Sequence, residues 1–527
     1  MAIEEGPDEA KVGGRVMIFT PQHGLGGSPF SYWMESTPPT AYPIMPDGLQ
    51  VDVAVIGGGI AGITTAALLK QQGLKVAVIE ARHIASLASG HTTAHISSAA
   101  TPSYYRSVMR KFGEDSARAC ARSAQSAIDK IAELAGRYRI ECDFSPASEF
   151  LYATDVPSRD DLREEMEFEA RLGLPVTFED NVPLPFETFG ALRYRDQAEF
   201  HPRKYLLGLG ATIPGSGSHV FEETQVRSIV EKDGCKVRTN RGTLMARDVV
   251  IATGSPISNL GLLSARMTVR RSYVLGVRVD EGVPEHTMFY SSEEPCHYIR
   301  WAFPGLLLVG GEDHPTGEAA DTRRYYASLE VFCARRFRLR SVDYSWSTQD
   351  QYPFDLLPFI GQLPGSHHQY VATGFKGTGM TYGTLSGMII ADLLVKGSSP
   401  YESLYGPSRL DLRASGRSLL RRNAHVATMF TEARLRGPDK AEGLGIDEAR
   451  LMRAGGRKCA TYRDESGKDH AVSPVCRHMG CYVRWNNAER TWDCPCHGSR
   501  YDIEGNVINA PTTGNLIRRT DRSKGDR

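Results

Sequence analysis

The sequence of 527 residues contains no apolar run long enough to cross a bilayer, so no membrane span is expected. It also lacks an excess of either charge, with 62 Lys and Arg against 62 Asp and Glu. A balanced chain offers no basic footprint for nucleic acid, and none is expected as a partner. The opening residues MAIEEGPDEA have neither the basic-then-apolar order of a secretory leader nor a twin-arginine pair. Six of the ten cysteines (Cys120, Cys142, Cys235, Cys296, Cys333, Cys459) show no metal-ligand spacing and read as reduced thiols. Together these features predict a cytoplasmic location. No second G-x-G-x-x-G unit follows the first, which argues against an independent NAD(P)H domain. No spaced pair of histidines with a carboxylate offers a mononuclear iron site of the oxygenase type.

What is present begins at residue 51. Val51-Asp52-Val53-Ala54-Val55-Ile56 is a short apolar run of the kind a buried parallel strand shows. Gly57-Gly58-Gly59-Ile60-Ala61-Gly62 follows, and a helix is predicted over residues 60–72. A second strand, Val76-Ala77-Val78-Ile79, ends at Glu80. Gly57 permits the tight turn, Gly59 lets backbone approach a pyrophosphate, and Gly62 lets helix and strand pack closely. The helix N-terminus offers free N–H groups to phosphates, and Glu80 can accept from ribose hydroxyls. Strand, glycine turn, helix, strand and acid in this order predict a dinucleotide site.

Several later segments resemble the flavoproteins of the D-amino-acid oxidase and glycine oxidase superfamily. Ser89-Gly90-His91-Thr92-Thr93-Ala94-His95 is similar to their phosphate-and-flavin loop, which implicates Thr92 and Thr93. Glu222-Glu223-Thr224-Gln225-Val226 and Asp248-Val249-Val250-Ile251-Ala252-Thr253-Gly254 match further cofactor segments in the same order. The resemblance implies Val226 against the adenine and Gly254 on the strand returning to the cofactor. Gly374-Phe375-Lys376-Gly377-Thr378-Gly379-Met380 is similar to the family's G-F-x-G-x-G-M segment, placing Gly377, Gly379 and Met380 near the flavin. FAD is thus the implied cofactor. His91 and His95 are candidates for a covalent tether, but neither aligns with the tethered residue of relatives, so noncovalent FAD is expected. As a metal pair at i, i+4 they lack further ligands.

Residues 146–200 and 260–345 lie between the cofactor segments, and the resemblance makes them a mostly β substrate domain over the flavin. Cys296-His297-Tyr298-Ile299-Arg300-Trp301 alternates as a strand does. Tyr298 and Arg300 are the candidate catalytic residues if that face meets the flavin, with Arg300 able to fork onto a substrate carboxylate. The alternative is a surface strand with a solvated arginine. Glu312-Asp313-His314 is expected to be a loop with a salt bridge. The chemistry implied is hydride transfer from a C–H bond beside an amine, so the lack of a nucleophile triad does not argue against an enzyme.

The last informative stretch holds Cys476-Arg477-His478-Met479-Gly480-Cys481 and Cys494-Pro495-Cys496-His497-Gly498-Ser499. Two thiolates (Cys476, Cys494) and two imidazoles (His478, His497) form the ligand set of a Rieske [2Fe–2S] centre, each residue type holding one iron. A zinc site is the competing reading, although a finger pairs its cysteines and its histidines within each loop. The loops, continuing to Tyr501-Asp502, resemble the Rieske subunits of respiratory and photosynthetic cytochrome complexes. That resemblance implies a disulfide between Cys481 and Cys496, and hydrogen bonds from the Ser499 and Tyr501 hydroxyls to sulfur, which raise the potential.

The expected organisation is an arm over residues 1–50, extended and pinned by Phe30, Tyr32 and Trp33, with a substrate-contacting arm as the alternative. An FAD-binding Rossmann-type α/β domain with a β-rich substrate domain spans 51–400. A connection over 401–440 carries an amphipathic helix at 418–435, with Leu419, Leu420, Val426, Met429, Phe430 and Leu435 on its apolar face. It is expected to pack on the flavoprotein, with partner docking as the alternative. A small all-β Rieske domain covers 441–517, and a basic tail 518–527. The functional expectation is an FAD-dependent amine or amino-acid oxidoreductase relaying electrons to the cluster. Its partners would be a small-molecule amine or amino-acid substrate and a protein electron acceptor or donor. Alternatives are an electron-transfer protein fed by a reductase or NAD(P)H, an oxygenase, and a redox sensor.

Overall fold

The run Val51 to Ile56 is apolar at five of six positions because its strand is covered on both faces. That strand, Leu49–Ile56, lies parallel between Thr243–Ile251 and Val76–Ile79. Gln369–Thr373 and His219–Phe221 extend the parallel sheet at either side. The helices Ile60–Gln71 and Gly379–Lys396 pack on each other over one face of it. The computed structural model describes residues 26–99, 104–409, 412–435, 443–454 and 457–519. Most of the basic tail, and the arm before residue 26, therefore lie outside the described residues.

A second sheet of nine strands forms the substrate half, with Leu339–Pro353, Met267–Val279, Leu306–Pro315 and Tyr298–Phe303 in that order at one end. It runs past residue 345 to Pro353 and takes in His95–Ile96, so the segments read from sequence are too short for it. Glu312-Asp313-His314 is not a loop. It ends the strand Leu306–Pro315, because the backbone there pairs with Met267–Val279 as far as Arg270 and Arg271. The arm departs from an extended course too. Ser31 caps a helical turn, Tyr32–Glu35, which buries Trp33 completely. Trp33 Nε1 donates to Thr92 O at 2.6 Å, tying the arm to the predicted cofactor loop.

Residues 443–519 carry two small antiparallel sheets, of three strands (Ala449–Ala454, Arg457–Arg463, Asp469–Val472) and four (Arg484–Asn486, Thr491–Asp493, Arg500–Tyr501, Val507–Asn509). The helix Leu412–Leu435 joins them to the flavoprotein and touches both. Val426 and Phe430 pack on the small domain's core, while Asn423 Nδ2 donates to Ala265 O at 3.0 Å. Leu420, expected on the buried face, is 74% exposed, because the helix is contacted by two bodies rather than laid along one.

A buried ionic group fixes the small domain to the large sheet. Glu489 reaches Arg271 at 2.8 Å and also contacts Ser347 and Arg500, and Arg500 Nε donates to Asp493 Oδ1 at 2.9 Å. Thr322 adds hydrogen bonds to Asn486 (2.7 Å) and Asn487 (2.8 Å). Burial alone would raise the Glu489 carboxyl, but Arg271 and Arg500 outweigh it and hold it at about 2. An unfolded Glu titrates near ~4.3, so the contribution is complete above that pH and fades as pH falls toward 2. Replacing Glu489 by Gln leaves two buried guanidiniums facing a neutral amide. The expected cost is about 3–5 kcal/mol, read as earlier loss of cluster absorbance in urea. The same variant should flatten the acid slope of stability between about pH 4.5 and 2.

Candidate functional site

One elongated cavity of about 890 Å³ runs from Glu80 and Arg82, past the glycine turn, to a polar chamber under the large sheet. Its middle is shaped by Gly57, whose φ is +110° and where a Cβ would lie 2.4 Å from Ala252 O. Gly62 sits just outside, and a Cβ there would lie 1.9 Å from Gly57 O, so helix and turn close on each other. At one end Glu80 accepts from the backbone N–H groups of Gly58 (2.7 Å) and Arg82 (2.9 Å), which fixes its carboxylate at the wall. Gly57, Gly59, Glu80, Thr92, Thr93, Val226, Gly254, Gly377, Gly379 and Met380 all line this cavity.

The chamber at the other end holds Tyr290, Tyr298, Tyr352, Asp313, Asp350 and Lys376. Burial, then Asp313, push Asp350 up to about 6, with Arg271 opposing. Burial pulls Lys376 down to about 8. Asp313 is paired with Arg270, and Glu293 with His297 at 2.8 Å. Tyr298 faces the chamber, but Arg300 does not, which corrects its expected role. One further pair of residues along the strand, about 6.6 Å, carries Arg300 beyond the chamber. There it is 2% exposed and donates to Ala94 O and Trp301 O, each at 2.8 Å, with Glu199 at 3.4 Å. In this position it braces the backbone of the 92–95 loop. His91 and His95 line no part of the cavity, and His95 is held by Glu149 at 3.3 Å.

Gln349, Asp350, Tyr352 and Lys376 were not singled out as site residues from sequence. Lys376 lies inside the G-F-x-G-x-G-M segment, which is a usable signal. The strand residues carry only a period-2 alternation, which cannot say which face meets a ligand.

In the small domain, Cys476 and Cys494 are neighbours, and the His478 and His497 rings lie 5.0 Å apart at a right angle. The Cys494 thiol and then Tyr501 draw Cys476 down to about 6, although burial opposes this. Burial lowers His478, and burial with the adjacent His478 and Arg422 lowers His497 to about 4, which favours the neutral imidazoles that iron ligation needs. Zinc would draw its four ligand atoms to within about 4 Å of each other. Among the described residues, no three of these four donor atoms lie within 4.8 Å of one another. Two separate pairs fit two irons instead. Cys481 and Cys496 are joined by a disulfide, so neither is a ligand. Tyr501 Oη lies 3.2 Å from Cys476 Sγ, and the fully buried Ser499 hydroxyl sits beside that thiol with no well-formed hydrogen bond of its own. A bridging sulfide would supply the missing acceptor.

The profile of the family "FAD dependent oxidoreductase" matches residues 52–393, and that of the "Rieske [2Fe-2S] domain" matches residues 440–519. A Bacillus subtilis protein described as "Putative Rieske 2Fe-2S iron-sulfur protein YhfW" is 34% identical over 93% of this chain and 97% of its own length. The Escherichia coli gamma-glutamylputrescine oxidoreductase is 24% identical over 66% of this chain and 84% of its own. Among solved structures, glycine oxidase from Geobacillus kaustophilus superposes with a TM-score of 0.58 at 21% identity, over 69% of this chain and all of that one. This likeness shows a shared fold. With the cavity able to take a dinucleotide and the cysteine and histidine pairs able to take two irons, the chain belongs to the FAD-dependent oxidoreductase family, carries a Rieske domain, and binds FAD and one [2Fe–2S] cluster.

Proposed function

We propose that the protein dehydrogenates the C–N bond of an amine or amino acid and passes the electrons to its own cluster. Bound FAD supplies a two-electron acceptor and the [2Fe–2S] cluster a one-electron carrier. The substrate loses a hydride from carbon and a proton from nitrogen, and the imine then takes up water to give a carbonyl compound and an amine. The observation that supports the relay is the position of Gln349. Gln349 lines the cavity, and its Nε2 donates to Gly498 O at 3.0 Å, one residue beyond the cluster ligand His497. The cluster loop is in van der Waals contact with the same sheet, since a Cβ on Gly498 would lie 2.5 Å from Val269 Cγ1. On the other side of the cluster, Met479 is 61% exposed next to His478, which leaves a face for a protein acceptor or donor.

The chamber's charge supports an amine. Asp313, Asp350, Glu293 and Glu294 stand against Arg270 and Lys376. Asp313 and Glu293 are already paired, and Asp350 forms no salt bridge among the described residues. An ionised Asp350 would hold an ammonium over the chamber before it gives up its proton. This leads to a pH prediction. Asp350 is charged above about 6, so kcat/KM for a cationic amine should rise with pH through that value, and Asp350→Asn should remove this limb. A wild-type profile flat from pH 5 to 7 would contradict the role.

Anaerobic stopped flow against an amine and amino-acid panel tests the relay itself. Flavin bleaching should precede cluster bleaching, and Gln349→Ala should slow the second phase while sparing the first. Cluster reduction without prior flavin reduction would overturn the proposal. Tyr501→Phe removes a donor to ligand sulfur worth about 1.5 kcal/mol. It should lower the cluster's midpoint potential by roughly 60 mV in a spectroelectrochemical titration.

A further inference from the structure

The Rieske domain does more than face the flavin end of the cavity. Residues Val507, Ile508, Asn509, Ala510, Thr512 and Thr513 line the opposite end, beside Glu80, Arg82 and Val226. In a fold of this type the acid after the second strand marks the adenosine ribose, and the first helix N-terminus marks the pyrophosphate. Residues 507–513 therefore stand over the adenosine half of the site, far along the cavity from Tyr298 and Asp350.

Two contacts hold them there. Arg82 Nη2 donates to Val507 O at 2.7 Å, while the Arg82 backbone N–H is fixed by Glu80. Arg227, the residue after cavity-lining Val226, donates to Thr513 O, and the Thr513 hydroxyl donates back to Arg227 O at 3.3 Å. Ile508 and Thr512 are 4% and 3% exposed, so this segment is packed rather than a loose flap.

We propose that residues 507–513 of the Rieske domain are a wall of the FAD site, closing over the adenosine half so that cofactor entry or exit requires this domain to lift. The proposal rests on FAD occupying the cavity and is independent of which substrate is oxidised. Because the wall is built only in the docked arrangement, FAD and docking stabilise one another, and the coupling is reciprocal. The small domain thus contributes residues to both cofactors of the chain.

The test pairs a lock with a loosening variant, both read by flavin fluorescence and not by turnover. Arg227→Ala removes one tie without touching the cavity lining. FAD release on dilution should accelerate at least tenfold while the cluster's EPR signal is retained. In the full-length double variant Arg227→Cys with Thr513→Cys, oxidation should cross-link the wall. Cross-linked apoprotein should then fail to quench added FAD, and reduction should restore uptake, with wild type under the same treatment as baseline. An unchanged release rate in Arg227→Ala, uptake by cross-linked apoprotein at the uncross-linked rate, or failure of the pair to cross-link would each overturn the proposal. Loss of amine oxidation with this behaviour intact would count against the proposed function alone.

Discussion

A single carboxylate between two guanidiniums carries the architecture. Glu489 of the Rieske domain, Arg271 of the substrate sheet and Arg500 are each no more than 3% exposed in their side chains. Taking three charges out of water is costly, and only mutual pairing makes the arrangement tolerable. The arrangement exists only when the two domains are seated in one register, because Arg271 and Glu489 lie 218 residues apart in sequence. Apolar packing alone would permit sliding. The buried charges do not, and the contacts of Thr322 and Gln349 follow from the same seat.

That seat unites the two redox sites. Gly498 and Gly317 press cluster-loop backbone against the large sheet, where a Cβ on Gly317 would lie 2.9 Å from Asp493 O. The connecting helix reinforces the arrangement, since Arg422 donates to Pro495 O at 2.9 Å and pairs with Glu318 of the flavoprotein. The segment between the domains is therefore a structural member and not a leash.

Much of this was legible in the sequence where chemistry and local order coincide. A strand, three glycines, a helix and an acid announce a dinucleotide turn without any tertiary information, and paired Cys and His loops announce iron. What escaped depends on long-range register. Tyr298 and Arg300 share one face of a strand, yet only the placement of the 92–95 loop decides that one meets the chamber and the other braces backbone carbonyls. Gln349 and Asp350 have no local signature, because their importance comes from which strand lies beside them. Leu420 belongs to the apolar positions of its helix, but that helix meets two bodies and leaves Leu420 exposed. Nothing near residues 507–513 in sequence hints at their contact with the cavity wall, since Arg82 and Val507 are 425 residues apart.

The fixed docking of the cluster loop has a stoichiometric consequence. Amine dehydrogenation delivers electrons in pairs, whereas a [2Fe–2S] centre stores one. If the proposed relay runs with the cluster seated at Gly498, Pro495 and Glu489, an external carrier has to visit the Met479 face twice for every substrate consumed. Under the proposed relay, the second electron waits inside until the first has gone, and the frequency of those visits sets the ceiling on turnover.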